Sequence, residues 1–192
     1  MYTISVEVEG TTPLLQHKFS GVKEAELQKA SKKVTGKIDY SKEWEDTCYQ
    51  TDGNLVQPGN HFEAAMIKAA INFTITGKRG KTYKDLFLSA VYVRPVMIPF
   101  NLPAPKKDPG INLYDKPIYI DVRRAVVVRA PVMRARLAFA PGWKLAFTIE
   151  VNEDEKQIGR DMVNDVLVHA GKYVGIGDYR PRFGLFMVTK FK

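Results

Sequence analysis

The sequence predicts an α+β protein with a ferredoxin-like core, the RRM-like βαββαβ arrangement, extended by an extra hairpin and by insertions. Three observations predict this fold. Residues 2–9 alternate between apolar and polar side chains, two later stretches place apolar residues at helical spacing, and strand-like runs stand between and after those stretches. A length of 192 residues fits one domain, so we expect a single domain over residues 1–192 with insertions at about 20–55 and 94–118.

The first half of the core is predicted as one strand and one helix. The alternation over residues 2–9 is typical of a strand that is buried on one face. Residues 62–73 form an amphipathic helix by their spacing, and Asn60 and Glu63 stand three positions apart, as the two partners of a capping box do.

The second half supplies the other strands and a second helix. The strand-like runs are residues 86–93, 118–129, 132–139, 144–151 and 184–191. The turn at 140–142 is expected to join the third and fourth of these runs as a hairpin, and residues 153–173 are expected to form a helix with one apolar face. The six prolines within residues 94–118 predict a long irregular connection.

Composition excludes several classes of protein. The chain has one cysteine, Cys48, which excludes internal disulfides and cysteine-based zinc sites. It has neither the run of about 20 apolar residues that a membrane helix needs nor the pattern of a signal peptide. We therefore expect a cytoplasmic protein that has no membrane partner, no metal and no cofactor.

The positive charge is concentrated in the middle of the chain. The net charge is +8, and residues 77–136 alone hold 13 Lys and Arg against 4 Asp and Glu, a balance of +9. Concentrated positive charge attracts polyanions, although a solvated basic surface would show the same counts.

Arginines on neighbouring strands are the first candidate phosphate contacts. Arg134 and Arg136 share one face of their strand, and Arg123, Arg124 and Arg129 flank the preceding apolar run. A guanidinium donates two parallel hydrogen bonds to a phosphate, and about six such contacts would give a slope of log affinity against log salt near −4. Protection of a strand edge is the alternative role.

A glycine-rich segment, residues 175–184, is the second candidate. Gly175, Gly177 and Gly184 would let the backbone approach a ligand. The other candidate contacts are Tyr179 and Phe183 for stacking on bases, and Arg180 and Arg182 for phosphates. The alternative is a helix cap followed by a tight turn. Residues 77–81 form a further basic loop, in which Lys78, Arg79 and Lys81 could lie along a nucleic-acid backbone.

His17 is the one candidate for acid–base chemistry, and a structural histidine is its alternative role. The sequence shows no catalytic triad order, no HExxH motif and no paired acids, so we expect a protein that is not an enzyme.

Two resemblances rest on particular residues. Residues 170–184, AGKYVGIGDYRPRFG, together with residues 12–17, TPLLQH, resemble a family of conserved hypothetical proteins of phages and prophages. More distantly, a glycine-rich loop between the last helix and the last strand of a ferredoxin-like core is similar to the RAMP superfamily of CRISPR effector complexes. That likeness implies guide-RNA binding, assembly along the strand as backbone subunits, and a glycine-rich loop at Gly175, Gly177, Arg180, Arg182 and Gly184. It also matches the insertions of backbone subunits to residues 22–50 and 94–118. Some RAMP nucleases use a histidine near the first helix, where His17 stands.

These observations predict a protein that binds single-stranded RNA or DNA and associates with itself or with a multisubunit ribonucleoprotein, in a phage or CRISPR-type system. A phage-encoded chain would act in the host cytoplasm. Two alternatives stay open: a phage structural or protein-interaction subunit, and a metal-independent endoribonuclease that uses His17. Composition does not distinguish RNA from DNA, because that distinction depends on contacts to the 2′-hydroxyl.

Overall fold

The fold is taken from a computed structural model, which describes residues 1–18, 43–127, 130–152 and 158–192. In chain order the strands and helices are β1 (Tyr2–Gly10), β2 (Leu14–Leu15), α1 (Glu43–Thr47), β3 (Gln50–Thr51), β4 (Asn54–Pro58), α2 (Asn60–Ala70), α3 (Lys84–Ala90), β5 (Val91–Arg94), β6 (Met97–Pro103), β7 (Ile118–Val127), β8 (Ala130–Phe139), β9 (Lys144–Val151), α4 (Arg160–His169), a π-helical turn (Ala170–Val174) and β10 (Phe186–Phe191). Within this part of the chain no helix is long and apolar enough to cross a bilayer.

The central sheet has four antiparallel strands in the order β10-β1-β9-β5. With α2 after β1 and α4 after β9, the chain reads βαββαβ, and the fourth, first, third and second strands of that unit lie side by side. This order of strands confirms the predicted ferredoxin-like core.

The two long helices cover one face of the central sheet. Phe62, Met66 and Ala70 lie on the buried side of α2, and the ring of Phe62 is centred 4.4 Å from that of Phe147 on β9. The predicted capping box does not form. The carboxylate of Glu63 instead accepts a hydrogen bond of 2.8 Å from the backbone N–H of Val93, and so joins the helix to β5.

Two small sheets extend this core, in the orders β2-β8-β7 and β3-β4-β6. The fold has the expected extra hairpin, and β7 and β8 form it. The predicted hairpin at residues 140–142 is wrong, because β8 and β9 belong to different sheets. That turn carries the chain from one sheet to the other, and the N–H of Gly142 donates to the carbonyl of Gly10 at 2.8 Å.

Two other segments of the chain have a different secondary structure from the one that the sequence predicts. Residues 86–90 of the predicted strand at 86–93 belong to helix α3, in which Phe87 and Ala90 lie one helical turn apart and are both buried. The predicted irregular connection at 94–118 contains β6, which tolerates prolines because it is an edge strand.

Parts of two predictions lie outside the described residues. Most of the expected insertion at about 20–55 falls on residues 19–42, and what is described of it is α1, β3 and the start of β4. The expected helix at 153–173 is described from residue 158, where α4 and the π-helical turn form it.

Candidate nucleic-acid interface

The loop at residues 175–184 is closed by contacts within the protein. Gly175, Gly177 and Gly184 have positive φ angles of 72°, 75° and 74°, which glycine adopts without a steric penalty. A Cβ on Gly184 would lie 1.8 Å from the carbonyl oxygen of Ile176, and one on Gly177 would lie 2.5 Å from that of Leu15. The space beside these glycines is therefore filled by the chain itself. The glycines therefore shape the loop, and their predicted contact with a ligand stays a prediction.

The amides of the loop are also used internally. Gly175 N–H donates to Ala170 O at 2.8 Å, which is the cap of the preceding helix. Asp178 N–H donates to Leu15 O at 2.9 Å and Gly184 N–H to Pro13 O at 2.7 Å, so the segment after β1 ties the loop down. The helix-cap and tight-turn alternative thus accounts for the glycines.

Three of the predicted arginines are paired with carboxylates. Arg136 Nε lies 2.9 Å from Asp178 Oδ2, Arg123 pairs with the fully buried Asp121, and Arg134 pairs with Glu43 of α1. Arg136 is buried and the Arg134 side chain is only 12% exposed, so neither arginine is freely exposed to solvent. Because each guanidinium has a carboxylate partner, this cluster carries little net charge.

The outer side of the loop carries the exposed groups. Arg180 and Arg182 are both exposed, and neither has an ion pair within the described part of the chain. Tyr179 is 41% exposed, and its ring packs edge-on against Phe183 at 5.7 Å. The predicted contact residues therefore form two sets. The outer set, Tyr179, Arg180 and Arg182, is exposed, and the inner set consists of arginines that are paired with carboxylates of the protein.

Arg123 connects the inner set of arginines to the aromatic side chains of the loop. Its guanidinium carbon lies 4.3 Å from the centre of the Phe183 ring and 5.1 Å from that of Tyr179, both within the range of cation–π contacts. Hydrogen bonding to Asp121 raises the pKa of Arg123, so the charge is permanent.

Sequence reasoning missed Tyr114, which belongs to the same aromatic group. It is 62% exposed, packs edge-on against Tyr119 at 5.2 Å and interacts electrostatically with Arg123. Burial, together with Asp121, raises the pKa of Tyr119 to about 12. The position of Tyr114 within the proline-rich segment 94–118 was a signal that could have drawn attention to it.

The other predicted contacts lie elsewhere or outside the described residues. Arg124 is exposed on the opposite face of β7 from Arg123, and Arg129 lies outside the described residues. The basic loop with Lys78, Arg79 and Lys81 starts and ends at the C-terminal end of α2, where Tyr83 N–H donates to Phe73 O at 3.0 Å. The glycine-rich loop lies near the N-terminal end of α2, where Arg180 acts on His61. A helix of 11 residues is about 16 Å long, so the two loops are separated by about that distance.

His17 lies in the segment that follows β2. Its backbone carbonyl accepts a hydrogen bond of 3.4 Å from the hydroxyl of Tyr49. In the described residues no group of three or more His, Cys, Asp or Glu side chains is arranged to hold a metal ion.

The face of the central sheet opposite the helices is not positively charged. Glu7, Glu9 and Glu150 lie on it, paired with Lys190 at 2.6 Å, Lys144 at 3.2 Å and Arg94 at 3.4 Å. A groove of about 470 Å³ beside them is lined by both signs of charge. This face therefore lacks the excess positive charge that binds a phosphate backbone.

No protein-family model and no curated protein matches the chain. Among solved structures, the chain is similar to one in a structure described as "Cryo-EM structure of the Type III-B Cmr-beta bound to cognate target RNA". The two share 14% sequence identity with a TM-score of 0.55, over 99% of this chain and 59% of that one. At this identity the likeness shows the fold alone. The resemblances to the RAMP superfamily and to phage proteins both stay predictions.

Proposed function

We propose that this chain binds single-stranded RNA as a non-catalytic subunit of a multisubunit ribonucleoprotein in a CRISPR-type system. The observation that carries the proposal is the outer side of the glycine-rich loop, where exposed Tyr179 is followed by the exposed Arg180 and Arg182. Two cations without carboxylate partners beside exposed rings are what a flexible strand needs, because phosphates and bases alternate along it.

Each group has a separate role in this proposal. Arg180 and Arg182 contact phosphates, while Tyr179, Phe183 and Tyr114 offer surfaces for stacking bases. Arg123, Arg134 and Arg136 act mainly by holding the loop and the rings in place, because their carboxylate partners already neutralise them. RNA is favoured over DNA because the similar solved structure is described as bound to RNA.

Binding of unstructured oligonucleotides tests the proposal. We expect a labelled oligouridine of about 20 nucleotides to bind, with an affinity that falls as salt rises. Oligothymidine of the same length tests the preference for RNA, and RNA length after incubation tests the absence of cleavage. Binding that is absent or independent of salt would contradict the proposal, and cleavage that is lost in His17→Ala would favour the endoribonuclease alternative.

Exposed apolar side chains support the part of the proposal that concerns protein partners. Val96, Met97, Leu102, Ile111 and Leu113 are all at least 38% exposed and lie within one segment of the chain. Exposed apolar side chains are candidates for contacts with other proteins where they form a contiguous patch. Sedimentation with RNA of increasing length tests self-association: the mass of the complex should rise in steps of the protein's mass, and one protein per strand at every length would contradict assembly along the strand.

A further inference from the structure

A chain of buried amides fixes the hydrogen-bonding roles around His61. The side chains of Gln16 and Gln57 are fully buried. Gln16 Oε1 accepts from Tyr49 N–H at 3.0 Å, while Gln16 Nε2 donates to Val56 O at 2.7 Å and to Gln57 Oε1 at 3.2 Å. Since the oxygen of the Gln57 amide is an acceptor here, its NH₂ group is the one that faces His61 Nδ1, at 2.7 Å.

These roles determine which nitrogen of His61 carries the proton. An amide NH₂ only donates, so Nδ1 must accept, and the proton of the neutral ring is on Nε2. A second proton on Nδ1 would place two donors 2.7 Å apart. Burial lowers the pKa of His61, and the nearby charge of Arg180 lowers it further, both of which favour the neutral ring.

The Nε2–H group is available to a ligand. His61 is partly exposed, and within the described residues its Nε2 atom makes no hydrogen bond. The ring is held by Gln57 on one side and by the edge-on ring of Tyr49, centred 5.6 Å away. The result is a fixed neutral donor on the side of α2 that the glycine-rich loop approaches, since Asp178 N–H of that loop donates to Leu15 O, next to Gln16. Arg180, which is exposed, is near enough for its charge to act on the ring.

We propose that His61 Nε2–H and the Arg180 guanidinium contact the same stretch of the phosphate backbone of the bound strand. A neutral donor adds a directed hydrogen bond without adding charge, and a guanidinium supplies the charge. The proposal rests on the RNA-binding function proposed above, and it extends the phosphate-binding surface from the loop to the start of α2. His61 would fix the position of the strand, and Arg180 would attract it.

Two substitutions separate this role from a structural one. In His61→Gln the side-chain amide reaches the place of Nε2 and can still donate, whereas in His61→Asn it reaches only the place of Nδ1. We expect His61→Asn to weaken binding of the oligouridine about tenfold and His61→Gln to stay within about twofold of the wild type. His169→Asn is the matched control, because that histidine lies at the far end of α2 beside Asn72 and should bind normally.

Nitrogen NMR of the wild-type protein gives an independent reading without any variant. The free protein should show His61 protonated on Nε2, and its nitrogen signals should move when oligouridine is added. Equal weakening in His61→Gln and His61→Asn, or His61 signals that stay fixed at saturation, would overturn this inference while leaving RNA binding in place. A wild-type protein that does not bind RNA would overturn the proposed function, and this inference with it.

Discussion

Neutralising the two exposed arginines of the glycine-rich loop should remove a defined part of the salt dependence of RNA binding. For single strands each neutralised phosphate contributes about 0.7 to the slope of log affinity against log salt. Removing Arg180 and Arg182 together, as Arg180→Gln with Arg182→Gln, should therefore reduce the magnitude of the slope by about 1.4. When salt rises from about 50 to about 200 mM, the affinity of the double variant should therefore fall by a factor about seven times smaller than that of the wild type.

The matched control removes the same charge at a distance. Arg79→Gln with Lys81→Gln also lowers the net charge of the chain by two, but it acts at the opposite end of α2, about 16 Å from the loop. This distance exceeds the screening length of about 10 Å in 0.1 M salt, so the control should leave the slope nearly unchanged. Fluorescence anisotropy of labelled oligouridine over a salt series measures both slopes. Equal reductions by the two pairs would refute the localisation of the interface.

The internal ion pairs also set the slope of the wild-type protein. Arg123, Arg134 and Arg136 already have carboxylate partners, so they release few counterions when RNA binds. We therefore expect a slope nearer −2 than the value near −4 that about six free cations would give.

Three further predictions concern the scaffold of the site. Gly184→Ala should lower the free energy of unfolding in urea by at least about 3 kcal/mol, because its Cβ would lie 1.8 Å from a backbone oxygen. Gly77→Ala, at a similar φ but with no atom within 4 Å, should cost about 1 kcal/mol, and equal losses would contradict the packing argument. Asp178→Asn should lower the free energy of unfolding by about 3 kcal/mol, because it leaves the charge of Arg136, whose side chain is 6% exposed, buried without its partner. Arg136→Met should cost only about 1 kcal/mol, because the Asp178 side chain that it leaves unpaired is 35% exposed. The reverse order of the two losses would contradict the role of the pair. By NMR, the pKa of His61 in the folded protein should lie below the ordinary value of 6.5. The unfolded chain then binds this proton at a higher pH than the folded chain does, so the free energy of unfolding should decrease as pH falls below 6.5. A His61 pKa at or above 6.5 would contradict the buried neutral ring.

The elements of the core could be predicted because they carry long periodic signals. Ile4, Val6 and Val8 are buried on one face of β1, as the alternation of residues 2–9 predicts. The helical spacing of residues 62–73 likewise matches the buried side of α2. A strand or helix that buries one face repeats its pattern at every period, so sequence alone is sufficient to detect it.

The short elements were missed because their signals are weak or ambiguous. Helix α3 has only seven residues, about two helical turns, and its apolar run Leu86, Phe87 and Leu88 resembles a strand in composition. Strand β6 contains Pro99 and Pro103, which argue against a strand unless it is known to lie at the edge of a sheet. That knowledge comes only from the tertiary structure.

The glycine-rich loop and its exposed arginines could be proposed from the sequence, but the ion pairs around them could not be predicted. The balance of +9 over residues 77–136 assumes that charges near in sequence act together. In the structure, Arg134 is paired with Glu43, which is 91 positions away, and Arg136 with Asp178, and both carboxylates lie outside that block. The excess charge of the block is thus partly cancelled by acidic side chains that only the fold brings to it. The charge that faces solvent at the loop comes from Arg180 and Arg182. Both lie within residues 137–192, where 8 Lys and Arg stand against 7 Asp and Glu, so the net charge of that stretch is only +1. A local count of charges therefore measures the electrostatic potential of a surface only after the ion pairs of the folded chain have been subtracted.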